Sequence, residues 1–370
     1  MCTTDKQIRF YFSPYAIGAV EKRWYECGEE FEKMGHEVLY IAKRPDADVE
    51  SDKRVTYIKG YSRSSHGMYD KTWREFAYAV RALRAVRQCD VLVMNSIFTP
   101  ILCPLIRNKY KVSVYNVARM PKKQMSLYNV DMLSCVSNAT RNVLLKQSPR
   151  LANKSCVINN PVNTLNFIYS KRTCSNAPSV VYSGRIHPEK GIDILVKSIE
   201  VLRQQGMDVK LTLVGPDSRG QGGGGSEYIE YLKSFAKSFT IAHVPAIRDP
   251  KQLAAELSKH DIYCYPSMAE QGETFGIAPL EAMALGIPTI VSRLSCFKDF
   301  TEDKKSALVF DHRSEGCVEE LASLIKQLAT DSLLYDTISL NGAEAAKEIS
   351  NKKIAAKYIS MFQQLLNNKK

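Results

Sequence analysis

Two carboxylates, Glu273 and Glu281, stand eight residues apart in "QGETFGIAPLEAMALGIP", Gln271 to Pro288. Paired carboxylates often divide general-acid and general-base work. On one continuous helix this pair would lie ~12 Å apart along the axis and about 80° apart around it, a poor geometry for that task. Gly276 and Pro279 also argue against a continuous helix. Proline is tolerated in a first helical turn, where its missing N–H would be unbonded anyway. The helix is therefore expected to start between Ile277 and Pro279. Glu273 falls in the preceding loop, and Glu281 in the first turn or just beyond. The N–H groups of Phe275, Gly276 and Ile277 then sit at a helix N-terminus, where the dipole favours an anion. Gly276 has no side chain to block its approach. Like charges repel, so neither carboxylate suits the anion itself. Both suit hydroxyl groups at either end of a diphosphate, one on a sugar and one on a ribose.

A second stretch, "YSGRIHPEKGIDIL" (Tyr182–Leu195), runs from a strand into Gly184 and Arg185, then to Lys190, Gly191 and a helix. An arginine can grip two phosphate oxygens and a lysine supplies a point charge, so the loop suits a diphosphate. An ordinary capping loop with surface cations fits this stretch equally well. "GQGGGG" (Gly220–Gly225) satisfies G-x-G-x-x-G, but "PDSR" separates it from the preceding strand. A dinucleotide turn follows its strand directly, so a flexible loop is expected there. "DAD" (Asp46–Asp48) has the spacing of a metal-binding D-x-D within a charged loop, and a solvated surface loop is the expectation. The six histidines form no H-x-x-x-H pair and the ten cysteines no C-x-x-C pair. No metal site is expected.

These stretches need rigid elements to hold them. Short Val/Ile-rich runs alternate with longer runs of helical period, from "IRFYF" and "GAVEKRWYECGEEFEKMG" to "DIYCYPS", "APLEAMALG" and "PTIVS". Such alternation predicts parallel sheets covered by helices. The pattern restarts after the polar stretch Tyr169–Ser179. The expected fold class is α/β, with two Rossmann-like domains facing each other across a cleft. The expected domains are 1–165 and 166–350, with a helix over 351–370 that packs back towards the first. In the chain of 370 residues, 45% hydrophobic and 24% charged, no apolar run reaches the roughly 18 residues of a membrane span. The N-terminus lacks an apolar secretory core, so a cytoplasmic protein is expected.

Charge is uneven. Residues 1–163 carry 26 Lys and Arg against 15 Asp and Glu, so +11 of the formal +12 lies there. A basic half attracts a polyanion: nucleic acid, an anionic membrane surface or a phosphorylated substrate. No nucleic-acid-reading module accompanies the charge. On the stretch Lys71–Gln88, Arg74, Arg81 and Arg84 fall on one side, with Trp73, Phe76, Val80 and Leu83 largely on another.

"GRIHPEKG", followed by "PSMAEQGETFGIAPLEAMALGIPTIVS", resembles the retaining GT-B glycosyltransferases of glycosyltransferase family 4. Glu273 and Glu281 match that family's E-x7-E element. "GHEV", "CVSNATRNVLL" and "VINNPVNT" extend the resemblance through the first half. It implies that the second domain binds a nucleoside-diphosphate sugar, UDP- or GDP-linked, and the first a glycan or lipid-linked acceptor. It implies that Arg185 and Lys190 neutralise the diphosphate, and that Thr274, Phe275, Gly276 and Ile277 contact phosphate and sugar. Glu273 would orient the sugar's hydroxyls, Glu281 the ribose, and Gly18 would admit the phosphates close to the backbone. No cofactor or metal is implied, because the cations and the helix end stabilise the leaving diphosphate. The transferred group would be hexosyl or N-acetylhexosaminyl, with retention by front-face attack. The expected setting is bacterial surface polysaccharide or glycolipid synthesis, peripheral on the inner membrane face.

Two departures stand out. Where many members carry a histidine after an N-terminal strand, "VSVYNVARMP" offers Asn116 and Arg119. Asn116 is expected to hydrogen-bond a sugar hydroxyl instead. "RLSCFKDFTED" lacks the usual glycine pair and Pro-Glu. A sugar-nucleotide 2-epimerase and a non-catalytic nucleotide-sugar-binding partner are the alternatives.

Overall fold

The computed structural model describes residues 7–10, 19–43, 53–59 and 68–369. Gly18, Asp46, Asp48 and the end of the "IRFYF" run at 11–12 lie outside them. The chain forms two compact units, Met1–Pro161 with Asn351–Lys370, and Val162–Ser350.

The first unit runs β1 (Gln7–Phe10), α1 (Ala19–Lys33), β2 (Glu37–Lys43), β3 (Val55–Ile58), α2 (Met68–Ala85) and β4 (Cys89–Met94). It continues through α3 (Thr99–Leu102), β5 (Tyr110–Val117), β6 (Met132–Cys135), α4 (Asn138–Gln147) and β7 (Ser155–Val157). All seven strands are parallel, in the order β3-β2-β1-β4-β5-β6-β7. β4 is buried along its whole length, as expected of a parallel strand covered on both faces. The "TPILCPLIRNK" stretch, left unassigned by periodicity, forms α3 and a 3-10 segment at Cys103–Lys109, each begun by a proline near its N-terminus. Ser137 caps α4 by accepting from the Thr140 N–H, while Thr140 accepts in return from the Ser137 N–H.

The second unit runs β8 (Ser179–Ser183), α5 (Ile192–Gln204), β9 (Lys210–Val214), α6 (Ser226–Lys233), β10 (Ile241–Val244) and α7 (Pro250–Leu257). It continues through β11 (Ile262–Tyr265), α8 (Ile277–Ala284), β12 (Thr289–Ser292), β13 (Leu308–Phe310), α9 (Cys317–Thr330) and α10 (Ser332–Lys347). Its six strands are parallel, in the order β10-β9-β8-β11-β12-β13. The chain winds outward one way from β8 through β9 to β10. It then crosses back and winds the other way from β11. In an open α/β sheet, ligands bind beyond the strand carboxyl ends at such a reversal, here between β8 and β11. "CVEELASLIKQLAT" makes α9, with Leu321, Ala322, Ile325 and Leu328 buried at helical spacing.

The last helix, α11 (Asn351–Asn367), belongs to the first unit. Its buried residues Ile354, Ala355, Tyr358, Ile359, Met361 and Phe362 recur at helical spacing, the stripe that one packed face requires. Tyr358 meets the Trp24 ring at 4.8 Å, and Phe362 meets Phe31 at 6.1 Å.

Candidate active site

The site is built by two loops, one after β8 and one after β11. Gly191 adopts φ +62°, and a Cβ there would come within 2.3 Å of the Pro266 carbonyl oxygen. Only glycine fits both the left-handed backbone and that approach. The Met268 N–H donates to the Glu189 carbonyl at 2.9 Å, so the two loops are tied backbone to backbone. The closure brings Lys190 Nζ to 2.7 Å from Glu273 Oε2, although the residues are 83 apart in sequence. Both side chains are nearly buried, at 7% and 12% exposure.

A buried ion pair persists only if its remaining polar atoms are satisfied. Glu273 Oε2 also accepts from the Tyr265 hydroxyl at 3.1 Å and the Ser267 hydroxyl at 3.4 Å. Lys190 Nζ lies 5.6 Å from the Tyr265 ring centroid as well. Burial, and next the Glu273 charge, push the Tyr265 hydroxyl well above its ordinary range, so it stays a proton donor. Tyr265 is held in turn by the parallel Tyr182 ring, 5.5 Å away. All three bonds to Glu273 go to Oε2, and among the described residues none goes to Oε1.

The helix after Glu273 begins at Ile277, with Glu281 just beyond the first turn. Among the described residues no hydrogen bond takes the N–H groups of Phe275, Gly276 or Ile277, although Phe275 and Gly276 are buried. The first N–H groups of a helix have no partner within it, and here two of the three are buried. Gly276 serves more than an anion's approach. Its φ is +87°, and a Cβ would come within 2.4 Å of the Phe297 ring. The glycine is dictated by packing beneath the helix end. Thr274 and Glu281 are half-buried on either side of this turn.

Arg185 is also at the site, but half exposed. Its guanidinium donates to Glu189 at 2.6 Å and to the Gly222 carbonyl at 3.0 Å. The Gly220–Gly225 stretch is therefore neither a phosphate cradle nor a flexible loop. The N–H groups of Gln221, Gly222, Gly223, Gly224 and Gly225 all donate to carbonyls of this unit, at 2.8–3.0 Å. Four of them fold the loop on itself, and the Gly224 N–H ties it to Ile186 of the loop that carries Arg185.

Beyond β11 towards the sheet edge, three loops are linked by charge. Glu270 accepts from His312 at 3.1 Å and pairs with Arg313. Arg313 pairs with Asp311 at 3.2 Å, which also faces Arg293 at 3.7 Å. Burial, and next the Arg313 charge, hold His312 below its ordinary value.

Asn116 lines a small pocket of the first unit with Arg23, Cys27 and Asn159. It lies on β5, buried, and accepts from the Trp24 indole at 3.3 Å. Its amide donates to the Ser134 carbonyl at 3.5 Å and the Tyr358 hydroxyl at 3.4 Å. Every polar atom of the side chain thus has a partner inside the first unit, so the expected sugar contact would have to displace one of these bonds. The residues that spacing missed are Tyr265, Ser267 and Glu189. Tyr265 and Ser267 end the run "DIYCYPS", and polar groups closing a buried strand were the available signal.

Two family descriptions cover nearly all of the chain. "Glycosyltransferase Family 4" matches residues 20–165 and "Glycosyl transferases group 1" matches residues 170–345. The chain belongs to glycosyltransferase family 4. The glycosyltransferase is 27% identical over 190 residues to a phosphatidyl-myo-inositol mannosyltransferase of Mycobacterium leprae, a match covering 50% of this chain and 46% of that one. The match thus spans about half the length of that curated relative. Among solved structures, sucrose-phosphate synthase from Thermosynechococcus elongatus is similar at TM-score 0.79 and 19% identity, over 98% of this chain and 100% of that chain. Anabaena HepE in complex with UDP and glucose is similar at TM-score 0.72 and 17% identity, over 97% and 99%. The fold class of the glycosyltransferase is GT-B, with two Rossmann-like domains. Among the described residues no helix is long and apolar enough to cross a membrane.

Proposed function

We propose that the glycosyltransferase moves a hexosyl or N-acetylhexosaminyl group from a nucleoside-diphosphate sugar, UDP- or GDP-linked, to a glycan or lipid-linked acceptor, with retention. The observation that carries this reading is the Lys190–Glu273 pair beside three unbonded N–H groups, at the reversal point between β8 and β11. Arg185 and Lys190 face the diphosphate, and the N–H groups of Phe275, Gly276 and Ile277 complete its hold. Fixed donors aimed at a leaving group cost no reorganisation as charge develops on it. That charge is met by protein cations, so the reaction proceeds without a divalent metal. Glu273 is oriented by Lys190, Tyr265 and Ser267, and presents Oε1 to the donor sugar's hydroxyls. Glu281 takes the ribose. The departing phosphate accepts the acceptor's proton as the new glycosidic bond forms on the same face.

The acceptor is assigned to the first unit. Its excess charge of +11 over residues 1–163 suits an anionic acceptor or membrane surface. Trp73 on α2 is 68% exposed rather than in the core, while Leu83 is buried. An exposed tryptophan on the helix that also carries Arg74, Arg81 and Arg84 suits a lipid headgroup region. A lipid-linked acceptor accords with the name of the mycobacterial relative, and surface polysaccharide or glycolipid synthesis is the setting.

The test is turnover of UDP-, GDP- and ADP-sugars by purified protein with EDTA present. Transfer or slow donor hydrolysis is expected, and E273Q should lower it by about 10²-fold or more without loss of fold. Neither activity with any donor would overturn the reading. An isomerised sugar nucleotide as product would point to an epimerase.

A further inference from the structure

Four charged side chains meet at the donor site, and they are not equally held. Lys190 and Glu273 are 7% and 12% exposed and pair with each other at 2.7 Å. Arg185 and Glu189 are 45% and 34% exposed and pair at 2.6 Å. The same Glu189 oxygen, Oε1, stands 3.9 Å from Lys190 Nζ. One carboxylate oxygen therefore sits between both cations assigned to the diphosphate. Glu189 Oε2 lies 3.8 Å from His187 Nδ1, which itself accepts from the Glu189 N–H, so only Arg185 and Lys190 compensate the carboxylate.

We infer that the Glu189 carboxylate occupies the anion position of the donor site, and that binding a diphosphate displaces it. The inference rests on the donor-site reading above. Two anions cannot share the space between Arg185 and Lys190 without strong repulsion. Of the four charged groups, Glu273 cannot withdraw, because burial would leave Lys190 uncompensated. Glu189 can, because it is a third exposed and sits on the short 3-10 turn Pro188–Lys190. Its backbone stays in place, since its carbonyl accepts from Met268. Only the side chain rotates.

This exchange has a function in a transferase that must release its nucleoside diphosphate after each cycle. With the carboxylate able to return, the cations are re-paired as the product leaves, and neither faces an empty site. Glu189 thus weakens the hold on both donor and product. It acts as a positioning residue that sets affinity and release, and it makes no contact with the transferred sugar.

The experiment measures binding of UDP, GDP and inorganic pyrophosphate by calorimetry, and release of a fluorescent UDP analogue by stopped flow. The variants are E189Q, E189D and R185A. E189Q should bind UDP or GDP and pyrophosphate on the order of threefold more tightly, the scale of a partly exposed ion pair. Its release of the nucleotide should slow by a similar factor, and E189D should restore wild-type values. Tightening is a direction that a merely structural role does not produce. Equal or weaker binding by E189Q, with R185A still losing affinity, overturns the inference and makes Glu189 an orienter of Arg185. If R185A binds all three probes as wild type does, the donor-site reading fails first and the inference falls with it.

Discussion

Both units wind outward from an inner strand and reverse, yet they use buried polar groups differently. In the first unit Asn116 and Ser134 sit on adjacent strands β5 and β6, and face Trp24 and Tyr358. Those groups satisfy one another and fasten α11 to the sheet. In the second unit the polar groups lie at the strand ends. Lys190, Tyr265, Ser267 and Glu273 form a network with one carboxylate oxygen left over, beside unbonded N–H groups. The same chemistry that closes a core in one sheet opens a ligand site in the other. What covers the strand end decides which. Asn116 and Ser134 are the penultimate residues of β5 and β6, and Tyr358 of α11 bonds both, whereas among the described residues the groups on the loops after β8 and β11 are not closed over by such a helix.

The largest effect that would sharpen this comparison is removal of α11. A chain ending at Ser350 should lose the folding transition of the first unit. It loses the buried contacts of Ile354, Tyr358 and Phe362, each worth about 1.5–3 kcal/mol, and uncovers Trp24 and Phe31. UDP binding by the second unit should persist in calorimetry. Joint loss of both would break the assignment of α11 to one unit.

Next comes E273A. It leaves Lys190 buried and unpaired, at a cost of about 3–5 kcal/mol to the second unit. Denaturant unfolding should record it, and E273Q should recover most of the loss while remaining inactive. N116A should be milder, about 1–3 kcal/mol, because it removes the acceptor of the Trp24 N–H while the Tyr358 hydroxyl keeps Ser134. Its affinity for UDP should equal wild type. A tenfold weaker affinity would return Asn116 to the donor site.

The smallest effect is on acid stability. Burial holds His260 and His312 of the second unit below the ordinary 6.5. The unfolded chain therefore takes up protons first as pH falls. Their stabilising contribution is complete above 6.5 and is lost as pH drops through the folded values. In the first unit burial opposes ionisation of Asp131, but hydrogen bonds from Lys369 and Ser113 outweigh it and hold the group below 3.8. That contribution survives until pH falls below 3.8. Thermal melting followed from pH 7.5 downward should weaken the second unit before the first. The reverse order would refute this ranking.

Legibility in the sequence followed the range of the forces involved. The βαβ alternation, the start of α8 at Ile277 and the roles of Gly276 and Pro279 at its end are local matters of period and cap. The αL position of Gly276 was not local, because its need comes from Phe297, 21 residues on. The "GQGGGG" loop misled for the same reason. Four glycines read alone suggest freedom, yet each N–H is tied to a neighbouring turn. β13 is only three residues long, too short for alternation to register.

By itself, then, the sequence determined two parallel α/β units, the placement of Glu273 before a helix and Glu281 within it, and the family. Local propensity and spacing suffice for those. Only the tertiary structure decided that Lys190 is held by Glu273, that Glu189 lies between the two cations, and that Asn116 belongs to a core. Those contacts join residues 83, 4 and 242 positions apart through loops and strands whose meeting depends on the closed sheet. Charge pairing and hydrogen bonding depend on separations of a few ångströms, and chain spacing does not fix these until the sheet has formed.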